Sequence, residues 1–256
     1  MRVVDRLCRT VAPWGRALLN LLYPRVCRVC NTPLPVGREW TCSRCEGEFG
    51  ITEPPYCSRC GEGFDGAIDR EFSCSNCADR KLSFDFAFAR FRAEGSVRDL
   101  IHRFKYNGEL SLRAALGHML LEALREPRLA HEDLTQWHLV PVPLHHSRRR
   151  ERGFNQAHHL CRQLNRARKI PLCDALRRSR DTGHQADLTR AQRLENLRNA
   201  FEARRGYRGE TSKLRGAKVL LVDDVFTTGA TTDACARVLR RDAGVEKVVV
   251  IAVARG

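Results

Sequence analysis

Three regions of the chain, residues 84–124, 138–168 and 219–254, set its architecture through the order of apolar and polar positions. Phe84–Arg92 alternates, with Phe84, Phe86 and Phe88 on one face, which is a strand pattern ended by Gly95. Val97–Tyr106 repeats at helical spacing through Val97, Leu100, Ile101 and Phe104, and Leu112–Leu124 is a second amphipathic helix. His138–Leu144 is a short apolar run, followed by a charged turn from His145 to Arg152 that Gly153 closes; Asn155 then caps a helix running to about Arg168. Val219–Val222 is apolar without alternation, as in a central parallel strand covered on both faces. A loop of small hydroxylated residues, a helix over Thr232–Arg241 and a last buried strand over Val245–Ala254 follow. Strands alternating with helices predict an α/β fold, a parallel sheet with helices on both sides and ligands at the C-terminal strand ends.

Arg177–Phe201 breaks the pattern. It is charged and polar, with a helix predicted around Thr189–Asn199, and reads as a mobile flap or protruding hood. Met1–Tyr23 carries short apolar pieces interrupted by Pro13 and Gly15, which predicts an amphipathic N-terminal helix over residues 1–24 and no secretory signal. No run of about 18 apolar residues exists to cross a membrane. A cytoplasmic protein without an integral membrane segment is expected.

Charge sharpens the picture. The net charge is +15, and Leu144–Gly216 alone holds 19 Lys/Arg against 7 Asp/Glu. A polyphosphate or a nucleic acid is the natural partner of such a segment.

Eight of the 12 cysteines form four Cys-x-x-Cys pairs in the first third of the chain: Cys27/Cys30, Cys42/Cys45, Cys57/Cys60 and Cys74/Cys77. Without a signal peptide a disulfide framework is not expected, whereas two such pairs complete a tetrahedral four-sulfur zinc site. Eleven residues separate Cys30 from Cys42 and thirteen separate Cys60 from Cys74. This repeat suggests two consecutive ribbons over residues 25–80, one using Cys27, Cys30, Cys42 and Cys45, the other Cys57, Cys60, Cys74 and Cys77. An interleaved pairing would use the same residues. A saturated thiolate site has no open position for water, so the two Zn²⁺ are structural.

The most informative stretch is Lys218–Thr232. Asp223 and Asp224 end the apolar run and offer acceptors for a vicinal diol. Thr227, Thr228, Thr231 and Thr232 supply hydroxyls, and Gly229 and Ala230 lead into a helix whose N-terminus favours an anion. One short segment thus suits a ribose phosphate. A Walker B segment would need a Gly-x-x-x-x-Gly-Lys-Ser/Thr partner, which the sequence lacks. A receiver domain would need a further Asp well downstream.

Val219–Thr232 resembles the phosphoribosyl-pyrophosphate (PRPP) motif of type I phosphoribosyltransferases. Nearly the whole chain resembles the ComF family through its Cys-x-x-Cys ribbons, Phe104–Gly108, Val140–Leu144, Arg152–Gln156, Thr182-x-x-Gln185, Arg193-x-x-Asn196 and Val222–Thr231. The resemblance implies a phosphoribosyltransferase-like domain over residues 84–256. Asp223 and Asp224 would bind the ribose and could stabilise positive charge on the ring, while Thr227, Thr228, Gly229, Ala230 and Thr231 would hold the 5-phosphate. Arg148, Arg149, Arg150, Arg152 and Gly153 would form the pyrophosphate loop, and Arg190 and Arg193 the anion contacts of a hood at about residues 177–201. Mg²⁺ would arrive with PRPP. The resemblance also implies a part in natural competence, DNA uptake or DNA utilisation, with single-stranded DNA and uptake-machinery proteins as partners. It leaves open a transferase of unknown acceptor, or a non-catalytic PRPP sensor or single-strand binder on the same fold.

Overall fold

The computed structural model describes residues 25–64, 66, 68, 70–180, 199–204 and 212–256. The predicted N-terminal helix, Arg190, Arg193 and nearly all of the predicted hood helix lie outside them. The chain divides into two compact units, 1–48 and 49–256.

The first unit carries one ribbon. Cys27 and Cys30 sit on a knuckle in which the Asn31 amide donates to the Cys27 carbonyl (2.9 Å) and the Cys27 amide to Thr32 (2.8 Å). A short helix α1 (Ser43–Gly47) carries Cys45. The second unit opens with the same device: Gly61 donates to Cys57 (2.9 Å), Cys57 to Glu62 (2.8 Å), and a short helix α2 (Ser75–Ala78) carries Cys77. Asn31 and Gly61 occupy the same turn position with φ of 60° and 68°.

The rest of the second unit is the α/β layer: β1 (Phe86–Arg92), α3 (Gly95–Tyr106), α4 (Leu112–Ala123), β2 (His138–Pro141), α5 (His146–Arg152), α6 (Gln156–Arg168), β3 (Leu176–Arg178), β4 (Phe201–Ala203), β5 (Lys218–Phe226), α7 (Ala230–Ala243) and β6 (Lys247–Arg255). The sheet order is β1-β6-β5-β2, with every pairing parallel. α4 lies against β1 and β6, and α6 against β2 and β5. On the other face α7 packs its Ala234, Cys235, Val238 and Leu239 into a core with Val219, Leu221, Val248 and Val250. The expected helices on both sides are therefore present, and β5 is central.

Two expectations change in detail. The alternation of β1 separates two buried faces rather than a buried and a wet one, because Ala87 and Ala89 are as enclosed as Phe86 and Phe88. The charged turn after β2 is the helix α5, capped by the His145 side chain and ended by Gly153 at φ 77°. Winding this run into a helix turns Arg152 back over the site instead of leaving it on an open loop.

Both sheet edges are covered, which removes unpaired strand groups. Thr52 donates to Arg90 (2.7 Å) and Arg92 to Gly50 (2.8 Å) along β1, while Leu139 donates to Pro171 (2.7 Å) beside β2. At the N-terminal strand ends, Lys218 and Lys247 share Glu132 (2.9 and 3.0 Å) and both stand over the buried Trp137 ring. That end is structural, and the chemistry-bearing residues gather at the opposite one.

Candidate functional site

β5 keeps its strand hydrogen bonds past Val222, so Asp223 and Asp224 emerge at its C-terminal end with side chains directed to opposite faces. Asp224 is buried, and its Oδ1 lies 2.7 Å from Lys105 Nζ on α3. Burial alone would lower the Lys105 pKa, but the Asp224 charge reverses this and raises it. Asp223 is half-buried and accepts the Asp224 amide at 2.9 Å. Loss of surrounding water, followed by the charge of Asp224, pushes Asp223 up to about 7, against the pull of Lys105. Lys105 pairs directly with Asp224, while Asp223 feels the Lys105 and Arg152 charges only as a weaker pull that its burial and the Asp224 charge outweigh.

The loop after β5 turns at Gly229 (φ 73°, ψ 4°) and enters α7 at Ala230. A Cβ at Gly229 would come within 2.8 Å of the Phe226 ring, so glycine is required by space as well as by conformation. Thr227 and Thr228 are exposed and Thr231 is partly so. The first turn of α7 leaves its amides without helical acceptors. Thr232 departs from expectation. Its hydroxyl is buried and donates to the Gly229 carbonyl (3.0 Å), so it closes the turn rather than facing a ligand.

α5 and the start of α6 approach from β2. The Val142 amide bonds the Val222 carbonyl (2.9 Å), and Asn155 Nδ2 returns to the Val142 carbonyl (3.1 Å), which fixes α5 beside Asp223. Arg149 and Arg150 are exposed, and Arg148 is half-buried. Arg152 Nη2 donates to the Tyr106 hydroxyl (3.1 Å), its guanidinium lies 4.7 Å from the Tyr106 ring centre, and Nη1 reaches Gln156 Oε1 (3.4 Å). Among the described residues, Arg152 Nε and Gln156 Nε2 are buried donors without an acceptor.

Lys105, Tyr106 and Gln156 were not assigned roles from sequence. Lys105 and Tyr106 lie in Phe104–Gly108, where the only local signal is a basic residue ending a helix. Their pairing with β5 and α5 is purely tertiary.

In both ribbons the four Sγ atoms lie within 4.8 Å of one another, as Cys27/Cys30/Cys42/Cys45 and Cys57/Cys60/Cys74/Cys77. The Cys30–Cys42 and Cys60–Cys74 sulfur separations are 3.7 and 3.6 Å, close to the ~3.8 Å between ligands of a tetrahedral Zn–S site. The Cys42 and Cys74 amides point at the sulfurs of Cys27 and Cys57 (3.4 and 3.2 Å), as thiolate ligands require. The donor set fits structural zinc, and the consecutive pairing holds over the interleaved one.

Residues 18–78 match the double zinc ribbon domain, and residues 150–256 match the phosphoribosyl transferase domain. Competence protein F of Haemophilus influenzae is 32% identical over 230 residues, covering 90% of this chain and 96% of that protein. The chain belongs to the ComF family. DNA utilization protein YhgH of Escherichia coli K12 is 30% identical over 87% of this chain and 93% of its own length. Competence protein ComFC of Bacillus subtilis is 27% identical over 56% of this chain and 53% of its own. This ComF-family chain therefore joins a double zinc ribbon to a phosphoribosyltransferase-type α/β domain. Among the described residues no helix is long and apolar enough to cross a membrane.

Proposed function

We propose that this ComF-family chain binds PRPP with Mg²⁺ across the C-terminal ends of β2 and β5, and that it serves the uptake or use of DNA for which its relatives are named. The observation that carries the reading is the meeting, at the C-terminal end of β5, of the Asp223/Asp224 pair with Lys105 and with the Arg152 charge, which acts on Asp223 from α5. In this reading the Asp pair accepts the ribose diol. The Thr227–Thr231 segment, exposed at Thr227 and Thr228, holds the 5-phosphate against the α7 N-terminus, and Arg148, Arg149, Arg150 and Arg152 take the diphosphate, which guanidinium groups clamp bidentately. Mg²⁺, bound chiefly by substrate oxygens, would offset the charge of the diphosphate and the diol beside the Asp pair. In transfer, the bond from ribose C1 to the diphosphate oxygen breaks and a nitrogen nucleophile bonds to C1. Arg152 would stabilise the departing diphosphate, and Asp223 or Asp224 the positive ring.

A second reading, in which the chain holds single-stranded DNA, is favoured by a specific cavity. A space of about 390 Å³ beside α5 and α6 is lined by Arg149, Arg162, Arg178, His146 and His158, with Arg204 paired there to Asp174 (2.8 Å). Phosphodiesters suit such a lining. Calorimetric titration with PRPP and Mg²⁺, before and after the change of Asp223 and Asp224 to Ala, tests the main reading. Binding of PRPP by the parent and none by the variant, with zinc content unchanged in both, is the expected result. Absence of binding by the parent overturns it. Pyrophosphate release across a panel of nitrogen bases then separates a transferase from a sensor.

A further inference from the structure

The second ribbon has no role in the reading above, yet its exit is fastened to the loop that follows β5. Arg80, just beyond Cys77, donates from Nη1 to the Thr228 carbonyl at 2.8 Å. The Ser83 amide donates to Asp233 Oδ1 (2.6 Å) in the first turn of α7. α7 answers through Arg240, whose Nε reaches the Ser83 carbonyl (2.6 Å) and whose Nη2 reaches Asp85 Oδ2 (2.6 Å). The Phe84 ring stands edge-on to Phe226 at 5.9 Å, and Phe226 fills the space beneath Gly229. Cys57, Cys60 and Cys77 belong to the same buried core as Ala230, Ala234 and Cys235.

The Arg80 contact has a directional consequence. In a trans peptide the N–H points opposite to the C=O. Holding the Thr228 carbonyl toward Arg80 aims the Gly229 N–H the other way and keeps a carbonyl dipole from facing an incoming anion. Among the described residues the Gly229 amide has no backbone acceptor. We infer that Arg80 is a positioning residue for this loop, and that the metal held by Cys57, Cys60, Cys74 and Cys77 controls sugar-phosphate affinity through it. The inference rests on the proposed PRPP reading for its ligand but not for its geometry. Coupling of this kind is reciprocal: a sugar phosphate in the loop tightens the hold on the metal by the same factor.

The test uses the full zinc-loaded chain, its Arg80→Ala and Arg80→Lys variants, and two probes. Ribose 5-phosphate reports on the loop after β5, and Mg²⁺-pyrophosphate on α5. Amide exchange at Gly229–Thr232 is measured without ligand. Arg80→Ala should keep both zinc ions, exchange faster at Gly229–Thr232, and bind ribose 5-phosphate about tenfold more weakly. Its pyrophosphate affinity should be unchanged, and Arg80→Lys should recover part of the loss. Equal loss for both probes would mean general loosening and would overturn the inference, as would unchanged exchange. If the parent binds PRPP with Mg²⁺ but neither fragment, the inference fails; if it does not bind PRPP either, the proposed function fails, and the exchange comparison still decides whether Arg80 holds the loop.

Discussion

Lys105 Nζ and Asp224 Oδ1 lie 2.7 Å apart, joining the end of α3 to the end of β5 with both side chains largely enclosed. Breaking such a pair from one side leaves a charge without a partner in a poorly hydrated place. Lys105→Met should therefore destabilise the second unit by about 3 kcal/mol, the low end for a buried pair because Lys105 keeps 19% of its side-chain surface exposed. Adding Asp224→Asn should return more than half of that. Urea denaturation of the single and double variants checks it, and an additive double variant would show that the pair contributes nothing specific.

The acidic pair also sets a pH dependence. Asp223 is raised from 3.8 to about 7, so the folded chain holds its proton more tightly than the unfolded chain. That contribution to stability is complete below the unfolded value and is lost as pH rises through about 7. Asp223→Asn removes the loss, so the empty variant should melt roughly 3–6 °C above the parent at pH 8, with a smaller gap at pH 5. Ligand binding runs the opposite way. A protonated Asp223 is a poor acceptor for a diol beside Mg²⁺, so PRPP affinity should climb with pH, by up to about tenfold per unit, and level off above neutrality. An affinity flat from pH 5.5 to 8 would exclude Asp223 as a ligand-contacting carboxylate.

Gly229 and Gly108 separate two costs that a single substitution would merge. Both have left-handed backbone, with φ of 73° and 66°. An added Cβ meets the Phe226 ring at 2.8 Å in the first case and nothing within 4 Å in the second. Gly108→Ala should cost only the conformational term, about 1 kcal/mol. Gly229→Ala adds the clash and should cost about 2 kcal/mol or more. It should also weaken ribose 5-phosphate binding at least tenfold, because the Thr227–Thr231 segment must move away from Phe226. Thermal melts and titrations of the two variants distinguish the effects.

How much of this was legible in the sequence depends on the range of the interaction. The four apolar residues of β5, the Asn155 cap and the Gly229 turn are local features, and each appears where its pattern places it. Thr232 misled because a hydroxyl in a helical first turn can satisfy its own backbone, and composition cannot distinguish that from a ligand contact. Lys105, Gln156 and Arg80 act through partners on other elements, and no periodicity encodes which carboxylate or carbonyl they meet. The two ribbons repeat so closely in sequence that nothing local shows how differently they are embedded.

That difference in embedding predicts unequal consequences of metal loss. Cys27, Cys30, Cys42 and Cys45 lie in the unit ending at Glu48, whereas Cys57, Cys60 and Cys77 are packed into the core of the unit that carries the sheet. Tyr56 and Arg128 add to that attachment, both reaching the buried Glu126 (2.8 and 2.6 Å), while Arg128 also takes the Ser58 carbonyl (2.5 Å). Structural zinc in a small ribbon is worth about 10–16 kcal/mol of coupled folding energy, comparable to the ~5–15 kcal/mol that holds a whole domain. Cys42→Ser with Cys45→Ser should remove one zinc and leave the main melting transition of residues 49–256 in place. Cys74→Ser with Cys77→Ser should remove the other zinc and lower that transition by more than about 10 °C. If the second variant cannot be isolated folded, limited chelation of the parent gives the same reading: the exchange protection of β5 and α7 should fall in step with loss of the second metal and not with loss of the first. Equal melting of the two double-serine variants would mean that the Cys57 ribbon is an appendage despite its packing.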